Sequence, residues 1–146
     1  YHQLFAYIKQ DVFILNASLF KNITLSREQE QDMSRVQQVV ERLHLEKLNV
    51  LDDAFQAGES GNKVSGGQKK LIALARAIYH NKEVLVLDEV TASLDQETRD
   101  LVMQVLEEEH KKGKTIILIS HQREVFSICD RVYEFRNGTL KPTAHV

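Results

Sequence analysis

At 146 residues, 42% of them hydrophobic, the chain has the size of one ordinary domain and can bury a core without disulfides or metals. Its 19 basic and 21 acidic residues nearly cancel, which excludes the global basic field that nonspecific nucleic-acid binding needs, so no nucleic-acid partner is expected. The lone Cys129 excludes an internal disulfide and fits a reducing, cytoplasmic setting; no apolar run approaches the roughly 20 residues that span a bilayer, and Tyr1, with neither signal peptide nor initiating Met, reads as a cut end of a soluble piece.

Leu4 to Ile8 is a short apolar run rich in aromatic and branched residues, which predicts a strand running into a polar turn at Lys9, Gln10 and Asp11. From Ser26 the pattern becomes helical. Ser26 and Gln29 have the spacing of a capping box, and Met33, Val36, Val40 and Leu43 recur on one helix face. Gly58 to Gly67 has no apolar periodicity and predicts a loop, with Ser65 placed to cap a helix whose buried face carries Leu71, Leu74, Ala75 and Ile78. The near-continuous apolar runs Glu83–Asp88 and Thr115–Ser120 predict parallel strands covered on both faces. Between them Asp95 is placed to cap a helix with Leu101, Val102, Val105 and Leu106 on one side, and Gly113 to stop it. The pair Asn137-Gly138 between alternating residues predicts a type I′ hairpin. These elements describe an α/β fold: a parallel-sheet core interrupted by a helical insert.

The chemistry concentrates at three places. In Val64-Ser65-Gly66-Gly67-Gln68, a hydroxyl and two glycines open a helix, where backbone N–H groups and the helix dipole favour an anion such as phosphate. Alone, such a stretch is more often a glycine loop with an ordinary cap. Asp88 and Glu89 end an apolar strand, at the edge where α/β sheets bind ligands; alone, an acidic pair more often merely ends a strand. His121 follows another strand, and Gln10 the first one, where a surface histidine and a turn glutamine are the ordinary readings.

Taken in order, these segments resemble the ATP-binding-cassette (ABC) ATPases. Val64 to Gln68 with Ala73-Leu74-Ala75-Arg76-Ala77 is similar to the signature motif and its helix, Val84 to Glu89 to the Walker B strand, Val90 to Asp95 to the D-loop, His121 to the H-loop histidine and Gln10 to the Q-loop glutamine. The likeness continues through Glu59 and Gly61 to Cys129-Asp130-Arg131-Val132. Val64 stands where the family usually has Leu, and Leu71 where many members have Arg. The resemblance implies a partial P-loop NTPase core, with residues 1–16 ending a core strand and the Q-loop, 17–80 forming the helical subdomain and 81–146 the rest of the core. It also implies ATP and Mg²⁺. Glu89 and His121 would be catalytic, Gln10, Ser65, Gly66, Gly67, Gln68 and Asp95 would meet nucleotide, and Asp88 and Gln10 would hold the metal.

No segment fits Gly-x-x-x-x-Gly-Lys-Ser/Thr, and Gly58-Glu-Ser-Gly-Asn-Lys63 fails because no glycine stands immediately before the lysine and a polar helical stretch, not a strand, leads into it. The chain by itself is therefore expected to hold ATP poorly, and its open strand edges to seek partners. By resemblance the whole cassette works as a head-to-tail dimer with a second nucleotide-binding domain, at the cytoplasmic face of a membrane. Gln10 to Asn16 with Lys21-Asn22-Ile23 resembles exporters, in which Val12, Phe13, Ile14 and Phe20 would meet a transmembrane domain or else fill the helical subdomain. A noncatalytic regulatory cassette and a soluble ABC ATPase are the alternatives.

Overall fold

Branched and aromatic runs become strands because their side chains pack on a pleated surface. The structure is a computed structural model and describes residues 4–25, 33–46, 64–92 and 94–143. Three strands, β1 (Phe5–Ile8), β2 (Val84–Asp88) and β3 (Thr115–Ile119), form a parallel sheet in that order. Phe5 pairs with Val84 and Ile8 with Leu87, while Asp88 pairs with Ile119, so the C-terminal tips of the strands finish together.

The alternation along each strand gives the sheet two unlike faces. Ile8, Leu85 and Leu87 are buried, with Ala6, Ile116 and Leu118 packed beside them. On the other face Phe5, Tyr7, Ile117 and Ile119 are between 46% and 52% exposed. The apolar runs predicted two covered faces, and among the described residues only one is covered. The composition of the strands reports what the sheet can bury, not which layers are at hand to bury it.

Among the described residues four α-helices follow in chain order. α1 (Leu19–Thr24) begins at Ser18, whose hydroxyl accepts the Lys21 N–H; its six residues are too few for the sequence periodicity to single out. α2 (Met33–Arg42) buries Val36 and Val40, with Leu43 just beyond, at the predicted spacing, whereas Met33 in its first turn is exposed. Ser26 and Gln29, the expected capping box, lie outside the described residues, as do Glu59 and Gly61. α3 (Gly66–Tyr79) buries Leu71, Leu74, Ala75 and Ile78 and packs against α1, α2 and β1. Its start corrects the expected loop, because Gly66 and Gly67 already belong to the first turn. α4 (Gln96–Lys111) is capped by Asp95 and stopped at Gly113, whose φ of 92° suits a residue without Cβ. After a 3-10 segment, Arg123–Ile128, the strands β4 (Val132–Arg136) and β5 (Thr139–Thr143) form an antiparallel hairpin. Asn137 and Gly138 both have positive φ there, as a type I′ turn requires.

Of the four residues expected to face either a membrane partner or the core, Ile14 is buried and Val12 and Phe20 pack against the core. Phe13 alone is open, at 72% exposed. No helix among the described residues is long and apolar enough to cross a membrane.

One buried charge ties the helical part to the core. Glu109 on α4 is 2% exposed and meets Arg42 of α2 at 2.5 Å, Lys114 at 2.5 Å and Lys112 at 2.9 Å. Burial opposes its ionisation, but the hydrogen bonds from Lys114, Lys112 and Arg42 outweigh that and hold the carboxyl at about 2, below the ordinary 4.5. A depressed carboxylate stabilises the fold fully above its unfolded value, and that stabilisation fades as pH falls through the folded one. Glu109→Gln, which strands the cations around a neutral amide, is expected to cost about 3 kcal/mol at pH 7. In urea melts of wild type and variant the gap should be full above about pH 4.5 and close as pH falls toward about 2; a gap that stays constant would show that the carboxylate's charge contributes nothing.

Candidate functional site

The register of the parallel sheet brings the chain's acidic pair to a shared edge. Asp88 ends β2, and its Oδ2 accepts the Tyr7 hydroxyl of β1 at 2.8 Å. That hydrogen bond, together with desolvation and the charge of Asp88, raises the Tyr7 pKa. Glu89 follows in a left-handed conformation, φ 51°, which costs a non-glycine residue of order 1–2 kcal/mol. Its neighbours hold it there. The Glu89 N–H donates to the Ile119 carbonyl of β3 at 2.9 Å, and the Glu89 carbonyl accepts the Lys70 ammonium at 2.8 Å.

Held this way, the Glu89 carboxylate lies under the end of β3. Its Oε1 accepts the His121 backbone N–H at 3.2 Å and lies 3.6 Å from the imidazole Nε2. Glu89 is 17% exposed and the His121 ring 98%, so the carboxylate is sheltered while the imidazole faces outward. Gln10 lies exposed in a bend just past β1, at the same edge, and among the described residues no hydrogen bond joins it to Asp88 or Glu89. The structure thus brings Asp88, Glu89 and His121 together and leaves the Gln10 side chain apart.

The predicted helix start is as well defined. Ser65 Oγ accepts the Gln68 N–H at 3.2 Å and Gln68 Oε1 accepts the Ser65 N–H at 2.8 Å, a complete capping box. The Lys69 N–H already donates to the Ser65 carbonyl. The first-turn amides left for an anion are those of Gly66 and Gly67. A Cβ on Gly66 would meet nothing within 4 Å, whereas one on Gly67 would come within 3.2 Å of Leu94 Cδ2. Gly67 is therefore small because the loop before α4 packs on it. Asp95, after Leu94, spends both oxygens on Thr98, at 2.9 Å to its N–H and 2.9 Å to its hydroxyl, and these bonds lower its pKa.

Three contributors escaped sequence reasoning. Tyr7 could be found only from the strand register. Lys70 was visible in principle, being a charged residue on the same helical stripe as Leu74, Ala77 and Ile78. It is 6% exposed, and besides Glu89 it donates to the Ala92 carbonyl at 2.5 Å; burial lowers its pKa, which the Glu89 charge partly offsets. Arg76 was noticed as part of a motif, but not its task. Its guanidinium donates to the Asn22 carbonyl at 2.6 Å, the Phe13 carbonyl at 2.7 Å and Asn22 Oδ1 at 3.0 Å.

Among the described residues no group of three or more His, Cys, Asp or Glu could hold a metal ion. Asp88, half-buried and with Oδ2 engaged by Tyr7, is left with Oδ1 for an ion that takes most of its ligands from water and phosphate.

A family model described as the RecF/RecN/SMC N terminal domain matches residues 8–141. The chain belongs to this family of ABC-type ATPase domains. Among curated proteins it is 35% identical over 144 residues to an ATP-dependent lipid A-core flippase of Pseudoalteromonas translucida (strain TAC 125), covering 93% of this chain and 24% of the relative. It is 34% identical over 139 residues to the "Uncharacterized ABC transporter ATP-binding protein YwjA" of Bacillus subtilis (strain 168), with 92% and 24% covered. The chain thus spans about a quarter of the length of these curated relatives. A solved bacterial Atm1-family ABC exporter with ATP bound has the same fold over 99% of this chain and 26% of its own, with a TM-score of 0.86 at 23% identity. The α/β core with its parallel sheet therefore has the fold of the matched part of that exporter chain.

The two glycines make separable predictions. Gly66→Ala meets no atom within 4 Å and should leave stability unchanged or raise it by up to about 1 kcal/mol. Gly67→Ala should lower it, because Leu94 must move. Equal stability of the two variants in thermal melts would contradict this packing.

Proposed function

We propose that the chain is part of the nucleotide-binding domain of an ABC exporter, which couples ATP binding and hydrolysis to movement of a substrate across a membrane. The observation that carries this reading is the shared strand edge at which Asp88, Glu89 and His121 meet, beside a glycine-opened helix locked to the following loop. The exporter half rests on the relatives, which are a flippase and an ABC transporter ATP-binding protein by name.

In this reading Glu89 orients the attacking water. Its partial burial keeps competing solvent away, and the His121 backbone N–H fixes one oxygen so that the other can face the water. The exposed imidazole of His121 offers an N–H to a terminal phosphate oxygen. Asp88 and Gln10 would hold Mg²⁺, which supplies charge neutralisation on the phosphates when bound. Ser65 and Gln68 shape the helix start, and the Gly66 and Gly67 amides receive the phosphate of a nucleotide held on a second nucleotide-binding domain in a head-to-tail dimer. Asp95 acts here as the cap that fixes the loop's exit.

The division into core, 1–16 and 81–146, and helical subdomain, 17–80, is supported by β1 and β2 being sheet neighbours with α1, α2 and α3 between them in the chain. The open sheet face of Phe5, Tyr7, Ile117 and Ile119 would be covered by the rest of the domain, and exposed Phe13 would face a transmembrane domain at the cytoplasmic side of the membrane. A soluble ABC ATPase is the second reading, favoured by the description of the family model; the flippase and transporter names of the relatives and the balanced charge weigh against it.

The test is ATP hydrolysis by the chain extended upstream through a P-loop, with and without Glu89→Gln. The variant should bind ATP as wild type does and lose turnover by roughly 100-fold or more. A wild type that binds ATP without turning it over would instead favour a noncatalytic cassette.

A further inference from the structure

We propose that Lys70 is a positioning residue for hydrolysis, holding Glu89 in its left-handed turn so that the signature helix and the water-orienting carboxylate move as one unit. The proposal rests on the reading of Glu89 as that carboxylate. Glu89 occupies backbone space that a glycine would enter more readily, and such strain persists only where the surroundings over-determine it. Two bonds do so, the Glu89 N–H to Ile119 and the Glu89 carbonyl to Lys70. The first belongs to the sheet. The second comes from a helix whose N-terminal turn carries Ser65, Gly66 and Gly67, so it links two regions that the sheet does not connect.

The second Lys70 bond, to the Ala92 carbonyl, closes the turn from the other side. The Ala92 N–H also donates to the Glu89 carbonyl at 3.3 Å, so both ends of the turn meet at one ammonium. A surface lysine would give no such constraint, because its long stem would trade partners with water. Lys70, at 6% exposed, has had that freedom removed. The ammonium's hydrogen bonds to the Glu89 and Ala92 backbone carbonyls fix the turn, so its action on catalysis runs through the geometry of Glu89.

The test is a double-mutant cycle on kcat and KM for ATP in the full-length protein, with Lys70→Met, Glu89→Gln and both together. Lys70→Met is expected to lower kcat about tenfold with KM within about twofold. In the Glu89→Gln background it should lower kcat by less than about twofold, since nothing is left to position. Lys70→Gln, whose amide can still donate to one carbonyl, should recover most of the rate, and Lys70→Leu carries the same cycle if Lys70→Met does not fold. Equal slowing by Lys70→Met in both backgrounds, or kcat unchanged by it, overturns the proposal while leaving the role of Glu89 intact. Glu89→Gln turning over at the wild-type rate overturns the site reading itself, and the proposal with it.

Discussion

The position of β2 between β1 and β3 is the constraint on which the rest of the site depends. A central parallel strand cannot slip by one residue without moving Leu85 and Leu87 from the helix-covered face to the open one, at a cost of about 1.5–3 kcal/mol for each side chain. With that register fixed, Asp88 falls beside Ile119, Tyr7 comes within reach of Asp88, and the residue after the strand is delivered to the end of β3. No side-chain interaction has to select this arrangement. The core selects it, and the polar groups at the tips then make the bonds that the register permits.

What the register alone does not supply is the orientation of Glu89. Continuing β2 by one residue would point the side chain along the sheet normal, alternating with Asp88. The left-handed turn breaks that alternation and lets the carboxylate reach the His121 N–H. Packing at Gly67 against Leu94 and the Lys70 bonds to Glu89 and Ala92 brace this turn from the α3 side. The two devices differ in kind. The first is a steric limit at van der Waals contact, and the second is a pair of charge-assisted hydrogen bonds in a dry setting, each worth more than a neutral one.

Much of this was legible in the sequence, and the reasons are local. Strands Glu83–Asp88 and Thr115–Ser120 announce themselves by branched apolar runs, Ser65 and Asp95 by their place before apolar-periodic segments, and the Asn137-Gly138 turn by a backbone requirement that few residues meet. Because Asp88, Glu89 and His121 sit immediately after such strands, finding the strands found the residues. The Tyr7 bond to Asp88 was hidden because it spans 81 positions and depends on pairing between strands. The open face of the sheet was hidden because near-continuous apolar strands look alike whether one layer or two lie against them. α1 was hidden by its brevity, and the expected loop ran two residues into α3 because glycines argue for a loop even beside the Ser65 cap that marks the helix start.

Arg76 extends the same logic along α3. Its guanidinium replaces bulk water with the carbonyls of Phe13 and Asn22 and the Asn22 amide oxygen, and burial lowers its pKa. Asn22 in turn accepts the Leu15 N–H and donates to the carbonyls of Leu15, Ala17 and Ser18, so residues 13–22 form one hydrogen-bonded block held to the helix. Lys70 and Arg76 are six residue steps apart along the α helix, a rise of about 9 Å along an element whose backbone bonds are all internal. A rigid rod pinned at one point to the turn of Glu89 and at another to the segment after Gln10 cannot shift at one pin without loading the other. To decouple them, either set of ionic hydrogen bonds would have to break in a buried place, at about 1.5–3 kcal/mol for each bond, or α3 itself would have to bend against Leu74 and Ala75, which are fully buried. Moving the block and the turn together is the lower-energy course.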